Sequence, residues 1–244
     1  MINLNKKYAI VSGAASGIGK SVSEKLLSKD IIVFALDILE CSINGAICLK
    51  CDVSSEEDLK RTSQKISEIT NRIDYMVLPA GILCQEKRYF LEDLPLDEWQ
   101  AVINTNLTSV MLMIQAFIPL IKNSKCGSVV TYSSEQVVRP IPKSGPYLVS
   151  KVALESLTKL AALEYLSSKI RFNCIRTATV DTNFLSSLVK EPEIRKSMRD
   201  DMDLKMPLGI ITPREIAELT WNLLDDNACK ITGQVITIDS GVLL

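Results

Sequence analysis

Ser12-Gly13-Ala14-Ala15-Ser16-Gly17-Ile18-Gly19 is the stretch whose reading settles the architecture. It comes straight after an apolar run, Tyr8 to Ser12, and straight before an amphipathic one, Gly17 to Ser28. Glycines let a chain turn tightly and bring its backbone close to a bulky anion. A helix that starts at such a turn aims its free N–H groups and positive dipole end at that anion. Spacing alone carries little, because glycine serves many turns, but the position between strand and helix points to the dinucleotide-binding turn of a βαβ unit. Gly13, Ser16, Gly17, Ile18 and Gly19 are therefore the residues expected to cradle a cofactor pyrophosphate.

Outward from that turn, short β-branched runs alternate with longer amphipathic ones, as in a parallel sheet with crossover helices. Strands are expected at Tyr8 to Ser12, Ile31 to Leu36, Ala46 to Lys50, Tyr75 to Leu78, Gly127 to Tyr132, Arg171 to Ile175 and Gln234 to Ile238. Helices are expected at Gly17 to Ser28, Ser55 to Asn71, Leu96 to Lys122, Gly145 to Ser167 and Pro213 to Asp225. Ser54 and Ser55 ahead of Glu57 and Asp58 read as the capped start of the second helix. Ile38 to Gly45 is too short for a crossover helix, which with its loops takes about a dozen residues. The pattern predicts one α/β domain over residues 1–244, a doubly wound (Rossmann) seven-stranded parallel sheet. A small helical cap over a pocket is expected in 183–207, where a polar, Met-containing pattern departs from the strand rhythm.

None of the 244 residues is histidine. That removes Ser-His-Asp and Cys-His nucleophiles, histidine-ligated metals and histidine pH switches. The net charge of −1, with no cluster of Lys or Arg, lacks the basic stripe that nucleic-acid binding requires, so a small-molecule partner is expected. The longest nearly apolar run, Val110 to Ile121, is interrupted by Gln115 and Pro119 and falls short of the roughly 18 residues of a membrane span, so no membrane helix is expected. Seven scattered cysteines, an odd number, fit reduced thiols in a cytoplasmic setting. Cys48 and Cys51 have metal-like spacing, but no second pair completes a site, so buried thiols and no metal are expected.

Asp37 ends the second expected strand, where a carboxylate accepts hydrogen bonds from an adenosine ribose and repels a 2′-phosphate. Ser16 stands in the turn where a phosphate-binding arginine could sit, and no basic residue flanks Asp37, so NAD is preferred over NADP. Asp52 and Val53 after the third strand are read as adenine-side contacts. Ala80 and Gly81 after the fourth let the chain pass close to the cofactor. Tyr147 and Lys151, four apart at the start of a helical pattern, project from one face, with Ser134 thirteen residues earlier. A free phenol titrates near pH 10, and a nearby ammonium stabilises its phenolate. On this reading Tyr147 exchanges a proton with an alcohol or carbonyl, Lys151 lowers its pKa and holds the ribose, and Ser134 hydrogen-bonds the substrate oxygen.

With Gly13, Gly17, Gly19, Ser134, Tyr147 and Lys151 in place, the chain resembles a short-chain dehydrogenase/reductase along essentially its whole length. The resemblance implies a fourth catalytic residue at Asn106, nicotinamide contacts at Val180 and Thr182, and a homotetramer or dimer. Thr232-Gly233-Gln234 and Asp239-Ser240-Gly241 are similar to the family's closing segments. Pro79 stands where the family usually has the asparagine that braces adjoining strands, so another group must supply that brace. Thr177-Ala178 replaces a customary Pro-Gly. Arg176 beside the nicotinamide end is read either as a guide for an anionic substrate or as a surface arginine paired with a nearby acid. The function expected is an NAD-dependent oxidoreductase of secondary alcohols and ketones on a small or medium substrate. The alternative is a catalytically weak or inactive NAD-binding sensor or scaffold of the same fold.

Overall fold

The structure is a computed structural model that describes residues 6–84, 88–182 and 205–244. Strand β1 (Tyr8–Ser12) is buried at all five positions, as a central strand covered on both faces must be. It is followed by α1 (Gly17–Leu27), β2 (Ile32–Asp37), β3 (Ile47–Lys50), α2 (Glu56–Ile69) and β4 (Tyr75–Leu78). Helices α3 (Leu96–Ile103) and α4 (Ser109–Ile121), β5 (Ser128–Ser134), α5 (Gly145–Glu164), β6 (Arg171–Thr177), α6 (Pro213–Leu224) and β7 (Val235–Ile238) complete the order. The strands lie in the order β3-β2-β1-β4-β5-β6-β7, and every pair is parallel. The chain therefore winds one way from β1 to β3 and the other way from β4 onward. The crevice at the C-terminal ends of β1 and β4 is the topological switch point where such sheets bind ligands.

Alternate residues of each strand feed two cores, one on each face of the sheet. Tyr8, Ile10, Phe34 and Leu36 join Leu59, Phe117 and Leu154 on one side. Ala9, Val11, Val33 and Ala35 join Val22, Leu26, Ile216 and Leu224 on the other. Ser55 caps α2 by accepting the Asp58 N–H at 3.2 Å. No helix lies between β2 and β3, in keeping with the short connection there.

Two boundaries differ in ways that matter. The β5–β6 ladder continues past the apolar residues through Ser133↔Arg176 and Ser134↔Thr177, because backbone pairing needs no apolar side chain; Ser134 is thus the last residue of a strand, not part of a loop. Between α3 and α4 the chain makes a π-helical turn, Asn104–Thr108, so Leu96–Ile121 forms one continuous helical run of 26 residues. That run is long and apolar enough to cross a membrane by length and composition, unlike the shorter stretch read from sequence, but half of its apolar window is buried inside the protein. Phe117 and Ile121 are fully buried within the core. The cap expected in 183–207 falls mostly on residues outside the described ones.

Gly19 shows why α1 can start where it does. A Cβ there would sit 2.1 Å from the Gly13 carbonyl oxygen and 2.9 Å from that of Ser12, so any side chain pushes α1 away from β1. Gly19→Ala is expected to cost about 2 kcal/mol, the scale of an overpacked core position, and to lower Tm by roughly 4–8 °C in a thermal melt.

Candidate active site

The switch-point crevice is a cleft of about 540 Å³, within the range of small-molecule and cofactor pockets. One end is formed by the glycine turn. Gly13 and Gly17 have φ of +58° and +51°, the left-handed region that favours glycine. Ser16 precedes α1 without a side-chain cap, and the first turn of α1 carries no acidic residue. The uncapped N–H groups and the dipole of α1 thus face a cleft lined by Ser16, Gly17, Ile18 and Gly19, an arrangement suited to a pyrophosphate. Thr182 lies over this turn, with its Cγ2 3.3 Å from where a Gly17 Cβ would be. Val180 is held nearby by a bridge to Ile211.

Asp37, at the end of β2, is oriented by the turn it serves. Its Oδ2 accepts the Ala15 N–H and its Oδ1 the Leu39 N–H, each at 2.9 Å. A carboxylate offers about four lone-pair sites, so it retains capacity for ribose hydroxyls. Asp52 and Val53 line the same end, Asp52 accepting both the N–H and O–H of Ser54. The donor set therefore fits a dinucleotide: N–H groups for phosphates at one place and a carboxylate for a ribose beside it.

At the other end stand the residues that the sequence suggests for chemistry. Ala80 and Gly81 follow β4, and the Ala80 N–H donates to Ser12 Oγ at 3.3 Å; this bond ties β4 to β1 where Pro79 has no amide to offer. A Cβ on Gly81 would lie 3.2 Å from Asn106 Oδ1 and 3.6 Å from Lys151 Nζ, so this stretch passes closely beneath both side chains. Asn106, 1% exposed, sits in the π turn, a distortion often found at functional sites. Its Oδ1 accepts the Ile82 N–H at 2.7 Å, and its Nδ2 donates to the Ile82 carbonyl and Ser150 Oγ at 2.9 and 3.2 Å. Asn106 thus acts as a strut between the β4 loop and α5.

Tyr147, Lys151 and Ser134 converge as their spacing requires. Lys151 Nζ lies 5.6 Å from the centre of the Tyr147 ring and donates to the Tyr132 carbonyl at 2.8 Å. Burial pushes the Tyr147 phenol up to about 12, while a hydrogen bond with Ser134 works in the opposite direction. Burial likewise brings the Lys151 ammonium down to about 8. Glu135 acts in the same sense as burial and Arg88 against it, while Lys151 is not among the groups that shift this phenol. Ser134 Oγ donates to Glu135 Oε2 at 3.1 Å and accepts the Gln136 N–H at 3.3 Å.

Two readings of the sequence are settled by partners distant in the chain. Arg176 forms a two-pronged pair with Glu155, Nε and Nη2 to the two carboxylate oxygens at 2.9 and 2.8 Å, and does not line the cleft. It is a paired arginine, not a substrate guide. Cys48 Sγ lies 3.1 Å from Cys41 Sγ and not beside Cys51, which is buried in the core. Glu135, Gln136 and Arg88 also line the cleft and were not singled out from the sequence. The only signal for the first two was their place directly after Ser134 at a strand end.

The sequence profile described as Enoyl-(Acyl carrier protein) reductase matches residues 13–243. The chain belongs to the short-chain dehydrogenase/reductase family. It is 31% identical over 248 residues to the NAD-dependent glycerol dehydrogenase of Listeria innocua, covering 98% of this chain and 94% of that one. It is 28% identical to dehydrogenase/reductase SDR family member 4 of Bos taurus, over 98% of this chain and 88% of that protein. The ligand-free aldohexose dehydrogenase of Thermoplasma acidophilum superposes with a TM-score of 0.91 at 27% identity, over 99% of this chain and 95% of that one. The protein is accordingly an oxidoreductase of the family that interconverts CH–OH and keto groups.

Lys151 gives the cleft a measurable cost. Its folded pKa lies below the ordinary lysine value, so the penalty is full below about pH 8 and fades as pH rises to 10.5. Lys151→Met should raise the stability at pH 7 by about 1–3 kcal/mol while removing turnover, read by calorimetry and an activity assay.

Proposed function

We propose that the protein is an NAD-dependent dehydrogenase/reductase that interconverts a secondary alcohol and a ketone on a small or medium substrate. The observation that carries this reading is the convergence of Ser134, Tyr147 and Lys151 at one end of a cleft whose other end joins an uncapped helix N-terminus to the Asp37 carboxylate. A nicotinamide bound there supplies or takes up the hydride. NAD is assigned over NADP because Asp37 at the ribose position repels a 2′-phosphate.

Tyr147 is the proton donor and acceptor. With its phenol pushed up to about 12, it remains protonated through neutral pH and is ready to give its proton to a carbonyl oxygen as that oxygen gains charge. In the oxidising direction it must first lose that proton, so alcohol oxidation rises with pH through the alkaline range while ketone reduction does not. Ser134 holds the reacting oxygen, and the Lys151 ammonium supplies positive charge beside the ring. Gly13, Ser16, Gly17, Ile18 and Gly19 receive the pyrophosphate. Asp37, Asp52 and Val53 receive the adenosine, and Ala80, Gly81, Val180 and Thr182 flank the nicotinamide half. Asn106 fixes the loop that passes beneath it.

The outer face of α5 exposes Val149, Val152, Leu160 and Leu163. An apolar stripe at helical spacing supports self-association through α5, as a dimer or tetramer. The reduced cysteines suit a cytoplasmic setting.

Tyr147→Phe tests the mechanism, since it removes only the transferable proton. Turnover of secondary alcohols and ketones should fall by about 10²–10⁴, the usual share of a general acid, with NADH binding unchanged by fluorescence titration. Undiminished turnover ends the assignment of Tyr147. Cofactor binding by the unaltered protein with no turnover of any alcohol or ketone favours the sensor reading.

A further inference from the structure

The edge of the sheet holds two thiols in contact. Cys41, in the connection between β2 and β3, has its Sγ 3.1 Å from that of Cys48 on β3. Both thiols are free and half-buried, within reach of a small solute, whereas Cys51 just beyond β3 is buried in the core. No group of three or more metal-ligating side chains occurs among the described residues, so the pair lacks the further ligands that a metal requires. The place of the pair in the fold gives it a task. β3 ends the sheet, is bonded to β2 alone and has no buried residue, and Ile43 is the one buried residue in the connection before it. A segment with so little burial opens locally at low cost. The adenosine end of the cleft hangs on that segment. Asp37 is paired with Lys50 in the β2–β3 ladder, its carboxylate accepts the Leu39 N–H from the connection, and Asp52 and Val53 follow β3 into the cleft wall.

We propose that Cys41 and Cys48 are a redox modification site, converted by a small disulfide oxidant into an intrachain disulfide that pins β3 and its connection beside Asp37. The Cys48 thiolate attacks the oxidant R–S–S–R, forming a mixed disulfide and releasing one thiolate, which takes up a proton as R–SH. Cys41 then attacks Cys48 Sγ, gives up its own proton and releases the second R–SH. Two protein S–H bonds are thereby exchanged for one S–S bond, and the two electrons lost by the protein reduce the oxidant. Cys41 suits the second step. Burial, then its hydrogen bond with Cys48 and the charge of that neighbour, push its thiol up to about 12, with Asp37 acting in the same sense and Lys20 against it. It keeps its proton until the mixed disulfide sets an electrophilic sulfur beside it. A disulfide bond is about 2 Å long, so the two sulfurs need approach by only about 1 Å, a shift that the exposed connection can make. Neither cysteine lines the cleft, so the bridge steadies the adenosine end without entering it. This inference goes beyond the dehydrogenase reading and does not rest on it.

The test is equilibration of the natural protein with glutathione from fully reduced to fully oxidised, followed by unfolding, alkylation of the remaining thiols and peptide mapping. Lys29 and Lys50 bound one tryptic peptide, residues 30–50, that holds Cys41 and Cys48 and no other cysteine. The expected result is that this peptide emerges from oxidised samples unalkylated and lighter by two hydrogens, while Cys51 and Cys174 are still alkylated. Tm should rise by roughly 4–8 °C on oxidation, the scale of a bridge closing a short loop, and fall back with dithiothreitol. Cys41→Ser and Cys48→Ser should show no such rise and, like the oxidised natural protein, should bind NADH as the reduced natural protein does. The peptide map needs no variant, so a serine variant that fails to fold leaves the decision to it. Alkylation of both cysteines after fully oxidised glutathione, a glutathione adduct that persists on either one, or a bridge to another cysteine or another chain overturns the proposal. A bridge that forms without raising Tm, or that abolishes NADH binding, overturns the stabilising role assigned to it.

Discussion

The close approach of α1 to the end of β1 is the constraint on which the rest of this molecule depends. Gly19 has no room for a side chain against the Gly13 and Ser12 carbonyls, so α1 begins within contact of the strand it follows. From that contact the rest of the cofactor end follows. The turn is tight enough for the Ala15 N–H to reach the Asp37 carboxylate on β2, and Gly13 lies against Ala80 after β4. Gly17 leaves space for Thr182 from the segment after β6. Four strand ends are thereby gathered around one helix N-terminus, and the topology places that gathering at the sheet's switch point.

Burial is the second theme, and it works against the groups it surrounds. Tyr147, Lys151 and Glu135 each have their charged form disfavoured by desolvation. A phenol that keeps its proton, an amine near its titration point and a carboxylate with a raised pKa form a site tuned by exclusion of water more than by pairwise attraction. Such a site is held at some expense of stability, which the two large cores on either face of the sheet support.

How much of this was legible in the sequence depended on whether the governing contact was local. The glycine turn, the strand and helix order, and the i,i+4 placement of Tyr147 and Lys151 are local patterns, and each element was found within a few residues of its expected place. The ends of β5 and β6 were missed because Ser133, Ser134, Arg176 and Thr177 break the apolar pattern while the backbone ladder continues. The π turn at Asn104–Thr108 leaves no trace in hydrophobic period. The Arg176–Glu155 pair, the Cys41–Cys48 contact and the Ser12–Ala80 bond that serves where Pro79 cannot are all set by tertiary packing. Glu135 and Gln136 read as ordinary polar residues at a strand end, and only the fold brings them to the cleft wall.

The central claim is that the glycine turn and Asp37 together form a site for an unphosphorylated nicotinamide dinucleotide. Parallel fluorescence titrations of the natural protein with NADH and NADPH test it most directly. Saturable NADH binding at least about tenfold tighter than NADPH binding, the scale of one close charge repulsion, is the result this account predicts. Equal or tighter binding of NADPH, or no saturable binding of NADH, would contradict it.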